Sequence, residues 1–250
     1  GVDGYGVPLP IFEGGVEGST IVGDANVEAA ADASDDGTAS EASTDASNDG
    51  GDASASATGL VISQMQSRGT GSGNDEFIEI YNASSASITF DSTWTITVRN
   101  ATGNVLTCTT VTPTLLYTGA GQVIASHEHL LLATSSYSES VTADATFSAG
   151  IPDAASLVLL QSGLVVDALC FDYDGPTTTT LTMCTMAPYV CEGTPSLNPH
   201  DNTTGTNTDA SLERKPGGSG GNTVDANDNA SDFQSLVTAD PHDLASAAVP

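Results

Sequence analysis

The alternation of apolar and polar residues from position 60 onward predicts a series of short β-strands. Residues 76–81 combine acidic side chains at 76 and 79 with apolar and aromatic ones, which we interpret as a strand with one buried face. Residues 130–132 are three consecutive leucines, which is typical of a strand buried on both faces. Further strands are predicted where β-branched, aromatic and aliphatic residues cluster, at 60–62, 88–90, 93–98, 105–111, 156–161, 164–171 and 211–214, the last of these being the final strand.

The turn signals between these segments define the fold class. Ser162 and Gly163 separate two predicted strands and predict a tight hairpin. No segment combines a sustained helical period with capping residues. Short strands with frequent turns favour a sandwich of two sheets. We therefore predict an all-β sandwich over residues 58–240, followed by a loose tail at 241–250.

One long segment interrupts the strand pattern and contains two of the four cysteines. Residues 172–208 are rich in Thr, Pro, Asn and Gly, which predicts a long loop. An even number of cysteines in an exported chain favours disulfides. Cys184 and Cys191 are close in sequence, so we expect them to pair and to leave Cys108 for Cys170. A zinc site is the alternative, but no histidine lies at ligand spacing from these cysteines.

The first 57 residues differ from the rest. Residues 24–57 form an Asp/Ala/Ser-rich segment of low complexity, which predicts a disordered linker. Residues 1–23 contain an apolar stretch with two prolines, which is typical of stiff, extended linker. The alternative is an assembly peptide that adds to a sheet edge of a neighbouring subunit. Its apolar side chains would be those of Tyr5, Val7, Leu9, Ile11 and Phe12.

The net charge of the chain limits the kinds of molecule that it is expected to bind. The chain carries 32 acidic and four basic residues, and its net charge is −28. Nucleic acids and anionic membrane surfaces are therefore excluded as partners, because both are bound through clustered Lys and Arg. No apolar run approaches the roughly 18 residues of a membrane-spanning helix. Because the chain begins at Gly1 without a signal peptide, we interpret it as a mature form of an exported protein.

An ordered set of segments resembles the bacterial lamin tail domain family. The set begins with Leu-Val-Ile-Ser-Gln-Met at 60–65 and ends with Asp-Ala-Asn-Asp-Asn-Ala-Ser-Asp-Phe at 225–233. The segments between them are 75–84, 94–96, 151–153, 157–160, 165–168 and 211–214. The resemblance implies an Ig-like β-sandwich that serves as a binding or architectural module. The insertion at 172–208 and its cysteines depart from the family pattern.

Alternating Asp and Asn residues near the end of the domain suggest a calcium site. Asp225, Asn227, Asn229 and Asp232 offer the several oxygen ligands that calcium prefers. The glycine and the glutamate of an EF-hand loop are missing, and turns stabilised by Asx side chains are the alternative explanation. Asp172 and Asp174 form a second, weaker candidate. Calcium is the only cofactor that we expect.

His127-Glu128-His129 is the densest group of histidines. If these residues lie on a strand, the two imidazoles share one face and could bind one metal ion. The sequence does not identify a third ligand, and we expect surface-loop histidines instead.

No catalytic site is recognisable in the sequence: serine is abundant, and nothing singles out a pair of carboxylates. We therefore expect a non-catalytic binding or adhesion protein outside a bacterial cell or on its surface, with a protein or glycan as partner. A self-associating subunit of an extracellular fibre, assembled through the N-terminal peptide, is the alternative.

Overall fold

The structure, a computed structural model, describes residues 56–102, 112–184 and 189–250. These ranges contain thirteen β-strands and two short α-helices. The strands are β1 (Leu60–Gln66), β2 (Phe77–Asn82), β3 (Ile88–Phe90), β4 (Trp94–Asn100), β5 (Thr114–Thr118), β6 (Gln122–Ile124), β7 (His129–Ala133), β8 (Ala145–Thr146), β9 (Ala155–Gln161), β10 (Leu164–Asp172), β11 (Ser196–Leu197), β12 (Ser211–Arg214) and β13 (Phe233–Leu236). The helices are α1 (Gly175–Met183) and α2 (Asn229–Asp232). Neither has the length and apolar character of a membrane-spanning segment.

The strands form two large sheets and one small one. The six-stranded sheet has the order β13-β12-β1-β2-β7-β8, and the five-stranded sheet has the order β11-β10-β9-β4-β5. β3 and β6 form a separate two-stranded sheet. The main core contains apolar side chains of both large sheets, including Ile62 and Ile80 from one and Ile96 and Leu159 from the other. This arrangement confirms the predicted all-β sandwich.

Most predicted strands are present close to their expected bounds. The hairpin of β9 and β10 turns at Ser162 and Gly163, both of which have the positive φ angles of a tight hairpin turn. β7 is buried along its whole length, as its leucines predicted. The strand expected at 105–111 lies outside the described residues.

The expectation of one exposed face on β2 is wrong, because all six of its residues are buried. The outer face of the six-stranded sheet is covered by the end of the chain. Ala239 packs with Phe77 and Leu131, and Val249 packs beside Val61. Hydrogen bonds fix the same segment, so residues 241–250, expected to be a loose tail, lie ordered across the sheet.

The insertion at 172–208 contains a helix that the sequence pattern did not predict. Asp174 caps α1 by accepting a hydrogen bond from the backbone N–H of Thr177 at 2.9 Å, and Pro176 lies in the first turn. The body of the helix is a run of threonines, whose helix propensity is low. Several threonine hydroxyls donate to carbonyl groups one turn earlier, so the side chains are satisfied within the helix.

The strand at 211–214 is not the final one. β13 follows it and pairs with it antiparallel, from Ser211 opposite Leu236 to Arg214 opposite Phe233. α2 leads directly into this last strand.

Candidate functional site

A polar cleft of about 620 Å³ opens at one end of the sandwich. Its walls come from the start of β2, the end of β7, the segment after β8 and one residue of β5. The lining is dominated by hydroxyl and amide side chains, with two apolar residues among them. The lining residues are Asn74, Glu76, Leu116, Thr134, Ser135, Ser136, Thr146, Phe147, Ser148 and Gly150.

Strand pairing places the polar residues at the cleft. β2 and β7 are antiparallel, with Phe77 opposite Ala133, so the residues just before β2 meet those just after β7. The backbone N–H of Thr134 donates to the carbonyl oxygen of Glu76 at 3.0 Å, and its hydroxyl donates to the carbonyl of Asn74 at 2.5 Å. These bonds fix the Glu76 backbone at the base of the cleft.

Glu76 is the one carboxyl group that lines the cleft among the described residues. Its side chain accepts a hydrogen bond at Oε1 from the backbone N–H of Ile151, at 3.0 Å. Its other oxygen, Oε2, is buried and has no hydrogen-bond partner in the described part of the protein. Burial raises the pKa of Glu76 to about 8, although the Ile151 N–H lowers it; the nearby Asp153 raises it further. At neutral pH the group is therefore mostly a neutral acid that can donate a hydrogen bond.

The apolar lining comes from the main core. Phe147 and Leu116 are both largely buried, and the backbone N–H of Phe147 donates to the carbonyl oxygen of Ala133. The cleft thus combines a small apolar surface with hydroxyl groups and one neutral acid. This composition suits a small uncharged polar ligand.

Two of the four predicted calcium ligands come together in the structure. Carboxylate oxygens of Asp225 and Asp232 lie within 4.8 Å of each other and of a third carboxylate, that of Glu192. One oxygen of Asp225 and one of Glu192 are buried without a hydrogen-bond partner among the described residues. Arg214 faces the group, with Nη1 3.7 Å from Asp225 and 3.9 Å from Asp232.

The other two predicted calcium ligands lie elsewhere. Asn229 is buried and its side chain bridges β10, accepting from the N–H of Cys170 and donating to the carbonyl of Ala168. Asn227 is exposed and has a φ of 54°. In the second candidate, Asp174 caps α1 and Asp172 is buried. Burial raises the pKa of Asp172, and a hydrogen bond with Thr178 lowers it.

The two neighbouring histidines have separate environments. His127 lies in a turn with a φ of 62°, and its Nδ1 lies 2.8 Å from the hydroxyl of Tyr81. His129 begins β7 and is buried, so the expectation of surface-loop histidines is wrong for this residue. Its ring lies beside that of His242, not that of His127.

The expected disulfide pairing is wrong. Cys170 of β10 is bonded to Cys191, with the two Cα atoms 5.2 Å apart. Cys184 is also disulfide-bonded, and Cys108 lies outside the described residues. The prediction relied on the short separation in sequence between Cys184 and Cys191. In the structure α1 lies between Cys170 and Cys184, and the segment after α1 returns to β10, which brings Cys191 to Cys170. The N-terminal assembly residues Tyr5, Val7, Leu9, Ile11 and Phe12 also lie outside the described residues.

Several site residues have no sequence signal of their own. Glu76 lies at the start of a segment that only predicts a strand, and the pairing of β2 with β7 is what shows that it lines a cleft. Glu192 is separated in sequence from Asp225 and Asp232, and His242 from His129. A lone acidic or imidazole group becomes recognisable as part of a site only when its neighbours in space are known.

The two packed sheets define the class of protein as a β-sandwich. No protein-family model matches the chain, and no curated protein sequence does. Among solved structures, the crystal structure at 2.50 Å resolution of a DUF4876 family protein from Bacteroides thetaiotaomicron is similar, with a TM-score of 0.51 and 12% sequence identity. The similarity covers 77% of this chain and 74% of that protein. At this identity it shows a shared β-rich fold and does not show membership of the lamin tail domain family.

Proposed function

We propose that this protein is a non-catalytic surface module that binds a neutral glycan in the cleft above Glu76. The observation that carries the proposal is the buried Glu76 carboxyl group, whose Oε2 has no partner among the described residues and whose position is at the base of a hydroxyl-lined cleft. A neutral carboxylic acid can donate a hydrogen bond to a sugar oxygen.

The lining of the cleft favours an uncharged ligand. Five of its residues carry hydroxyl groups, which can both donate to and accept from the hydroxyls of a sugar: Thr134, Ser135, Ser136, Thr146 and Ser148. No Lys or Arg is among the described residues that line it, and the chain has a net charge of −28. An anionic ligand would therefore be repelled. The volume of about 620 Å³ lies within the usual range of small-molecule sites.

The arrangement of carboxylates supports binding without hydrolysis. Glycosidases generally use two carboxyl groups that flank the scissile bond, roughly 5 to 9.5 Å apart. The two acidic residues whose charges act on Glu76 are Asp75 and Asp153, and both already have hydrogen-bond or ion-pair partners. Asp75 accepts hydrogen bonds from the N–H groups of Gly71 and Ser138, and Asp153 forms an ion pair with Arg68 at 2.6 Å.

Two further features support a location outside the cell. The Cys170–Cys191 disulfide is typical of proteins from oxidising compartments. The sequence also resembles the bacterial lamin tail domain family, which implies a binding or architectural module. Together with the net charge of −28, these features support an exported protein that meets its ligand at the bacterial surface.

A glycan array probed with the full chain tests the proposal. We expect binding to neutral glycans by the wild type, and loss of that binding in Glu76→Ala. Glu128→Ala is the matched control, because Glu128 lies at the opposite end of β7 from the cleft. Thermal unfolding of both variants checks that they are folded. Absence of wild-type binding to any glycan, or equal binding by Glu76→Ala, would overturn the proposal.

A further inference from the structure

Glu79, His129 and His242 converge on the outer face of the six-stranded sheet. One ligand-type atom from each lies within 4.8 Å of the others. Nε2 of His129 is 3.5 Å from Oε1 of Glu79, and Nδ1 of His242 is 3.5 Å from Oε2 of the same carboxylate. Glu79 and His129 are almost completely buried, and the His242 side chain is 22% exposed.

The sheet register brings the first two residues together. Tyr81 of β2 is opposite His129 of β7, and Glu79 is opposite Leu131, so Glu79 and His129 are diagonal neighbours on one face. The third residue comes from the segment at 237–250 that crosses this face. The backbone N–H of His242 donates to Oε2 of Glu79 at 2.5 Å, which fixes the imidazole beside the carboxylate.

A bound cation would balance the charge of the buried Glu79 carboxylate. Among the described residues, the ion-pair partners of Glu79 are His129 and His242, and no Lys or Arg is among them. Without a metal ion the balancing charge must be a proton on one of the imidazoles, because an uncompensated buried charge is costly.

From this geometry we propose that Glu79, His129 and His242 bind a divalent transition-metal ion of the zinc class, which fastens the C-terminal segment to the sheet. Two imidazoles and one carboxylate form a donor set that suits zinc and is poorly suited to calcium. In tetrahedral zinc sites the ligand atoms are about 3.4 Å apart, from bond lengths of about 2.1 Å. His129 and His242 each lie 3.5 Å from a different oxygen of the Glu79 carboxylate, close to this spacing, so the carboxylate would bind the ion through both oxygens or turn to present one of them.

The surrounding residues orient the ligands. Ser63 donates its hydroxyl proton to Oε1 of Glu79 at 2.6 Å. Asn222 holds its Oδ1 2.9 Å from Nε2 of His129, and its amide group donates to the carbonyl of Arg214, which fixes the direction of the oxygen. The Ser63 contact orients the carboxylate. A metal ion on Nε2 of His129 would replace the Asn222 hydrogen bond and would leave the Asn222 oxygen close by as a fourth donor.

Zinc titration of the chelator-treated full chain, followed by calorimetry, tests the site. An excess of calcium occupies the many exposed carboxylates, which prefer hard cations. We expect one zinc ion per chain, with affinity reduced at least roughly tenfold in His242→Ala. His127→Ala is the matched control and should bind zinc as the wild type does, because His127 faces Tyr81 instead of the cluster. Glu79→Gln provides a second variant should His242→Ala unfold.

Hydrogen exchange tests the fastening role. Zinc should slow the exchange of backbone amides in residues 239–249 of the wild type and should have no such effect in His242→Ala. Equal zinc affinity in wild type and His242→Ala, or an equal loss in His127→Ala, would overturn the metal site. Zinc binding without slower exchange would overturn its fastening role.

Discussion

Arg214 and Asp167 form a two-point ion pair in the interior of the protein. Nη2 of Arg214 lies 2.7 Å from Oδ1 and 2.9 Å from Oδ2 of Asp167, and both side chains are inaccessible to solvent. Arg214 belongs to β12 of one sheet and Asp167 to β10 of the other. Both also bond the backbone of Ile62 in β1: Asp167 accepts from its N–H, and Arg214 donates to its carbonyl. The pair therefore connects the two sheets at the β-bulge in β1.

Removing this arginine should strongly destabilise the fold. Arg214→Met leaves the Asp167 carboxylate buried without its partner, which costs about 3–5 kcal/mol in the free energy of unfolding. It also removes the contact of the guanidinium with the ring of Phe233, 4.7 Å away. Arg99→Met is the matched control: Arg99 is half-buried on β4, and its replacement should cost less than about 1 kcal/mol. Urea unfolding measures both, and equal losses would contradict the role given to the ion pair.

The raised pKa of Glu76 makes stability fall as the pH rises. The folded protein keeps this proton up to about pH 8, whereas the unfolded chain releases it near the ordinary value of 4.5. Between these values the unfolded state binds fewer protons, so the free energy of unfolding decreases with pH, by an amount on the order of a few kcal/mol.

Glu76→Gln removes that contribution. Its stability should therefore fall less steeply than that of the wild type between about pH 5 and about pH 8 in urea unfolding. Glu192, whose pKa is also raised to about 8, mainly by burial, contributes to both proteins and cancels in the difference. Parallel pH profiles for wild type and variant would contradict the assignment of the buried proton to Glu76.

The disulfide connectivity is open to direct mapping. Cleavage after Phe171 and Tyr189 separates Cys170, Cys184 and Cys191 into different peptides. Mass spectrometry without reduction should find the peptides of Cys170 and Cys191 joined, and a link between Cys184 and Cys191 would contradict the structure. The double variant Cys170→Ala/Cys191→Ala should lose about 3 kcal/mol of stability, because the bond closes a loop with a sequence separation of 21.

Calcium should stabilise the domain through the carboxylates that the structure brings together. Asp225, Asp232 and Glu192 are close to one another and face a single arginine, and a bound cation would displace the proton that burial holds on Glu192. Because a ligand bound only to the native state stabilises it, millimolar calcium should raise the thermal midpoint by a few degrees. Asp225→Asn should abolish the shift. Asn227→Gly should retain it, since Asn227 is exposed and glycine tolerates its positive φ. An unchanged wild-type midpoint would rule out the site.

The parts of the fold that were predicted correctly depend on local signals. The β9–β10 hairpin needs only two β-rich segments and the Ser162-Gly163 turn, all of which are adjacent in sequence. The errors come from long-range packing. β2 is buried on both faces because residues from the end of the chain pack against its outer face. The sequence of β2 itself gives no indication of this long-range contact. α1 was missed because the residues after Asp174 and Pro176, which cap and start the helix, are mostly threonines with low helix propensity.

For each candidate site, the sequence identified at most some of the residues that form it. Asp225 and Asp232 lie in one Asx-rich segment, and the sequence identified them together. Glu76 gave no signal, since its significance comes from the burial of its carboxyl group and from the hydroxyl groups that β7 and β8 place around it. His129 was recognised as a metal-type residue, but its neighbour in space is His242 and not His127.

The most direct test of glycan binding is the pH dependence of affinity, measured by calorimetry with the strongest glycan from the array. The account predicts that wild-type affinity falls as the pH rises through about 8, where the Glu76 acid ionises and loses its donor proton. Glu76→Gln keeps a neutral donor at every pH, so its affinity should stay constant across that range. A wild-type affinity that is independent of pH, or one that falls equally in Glu76→Gln, would contradict the central claim.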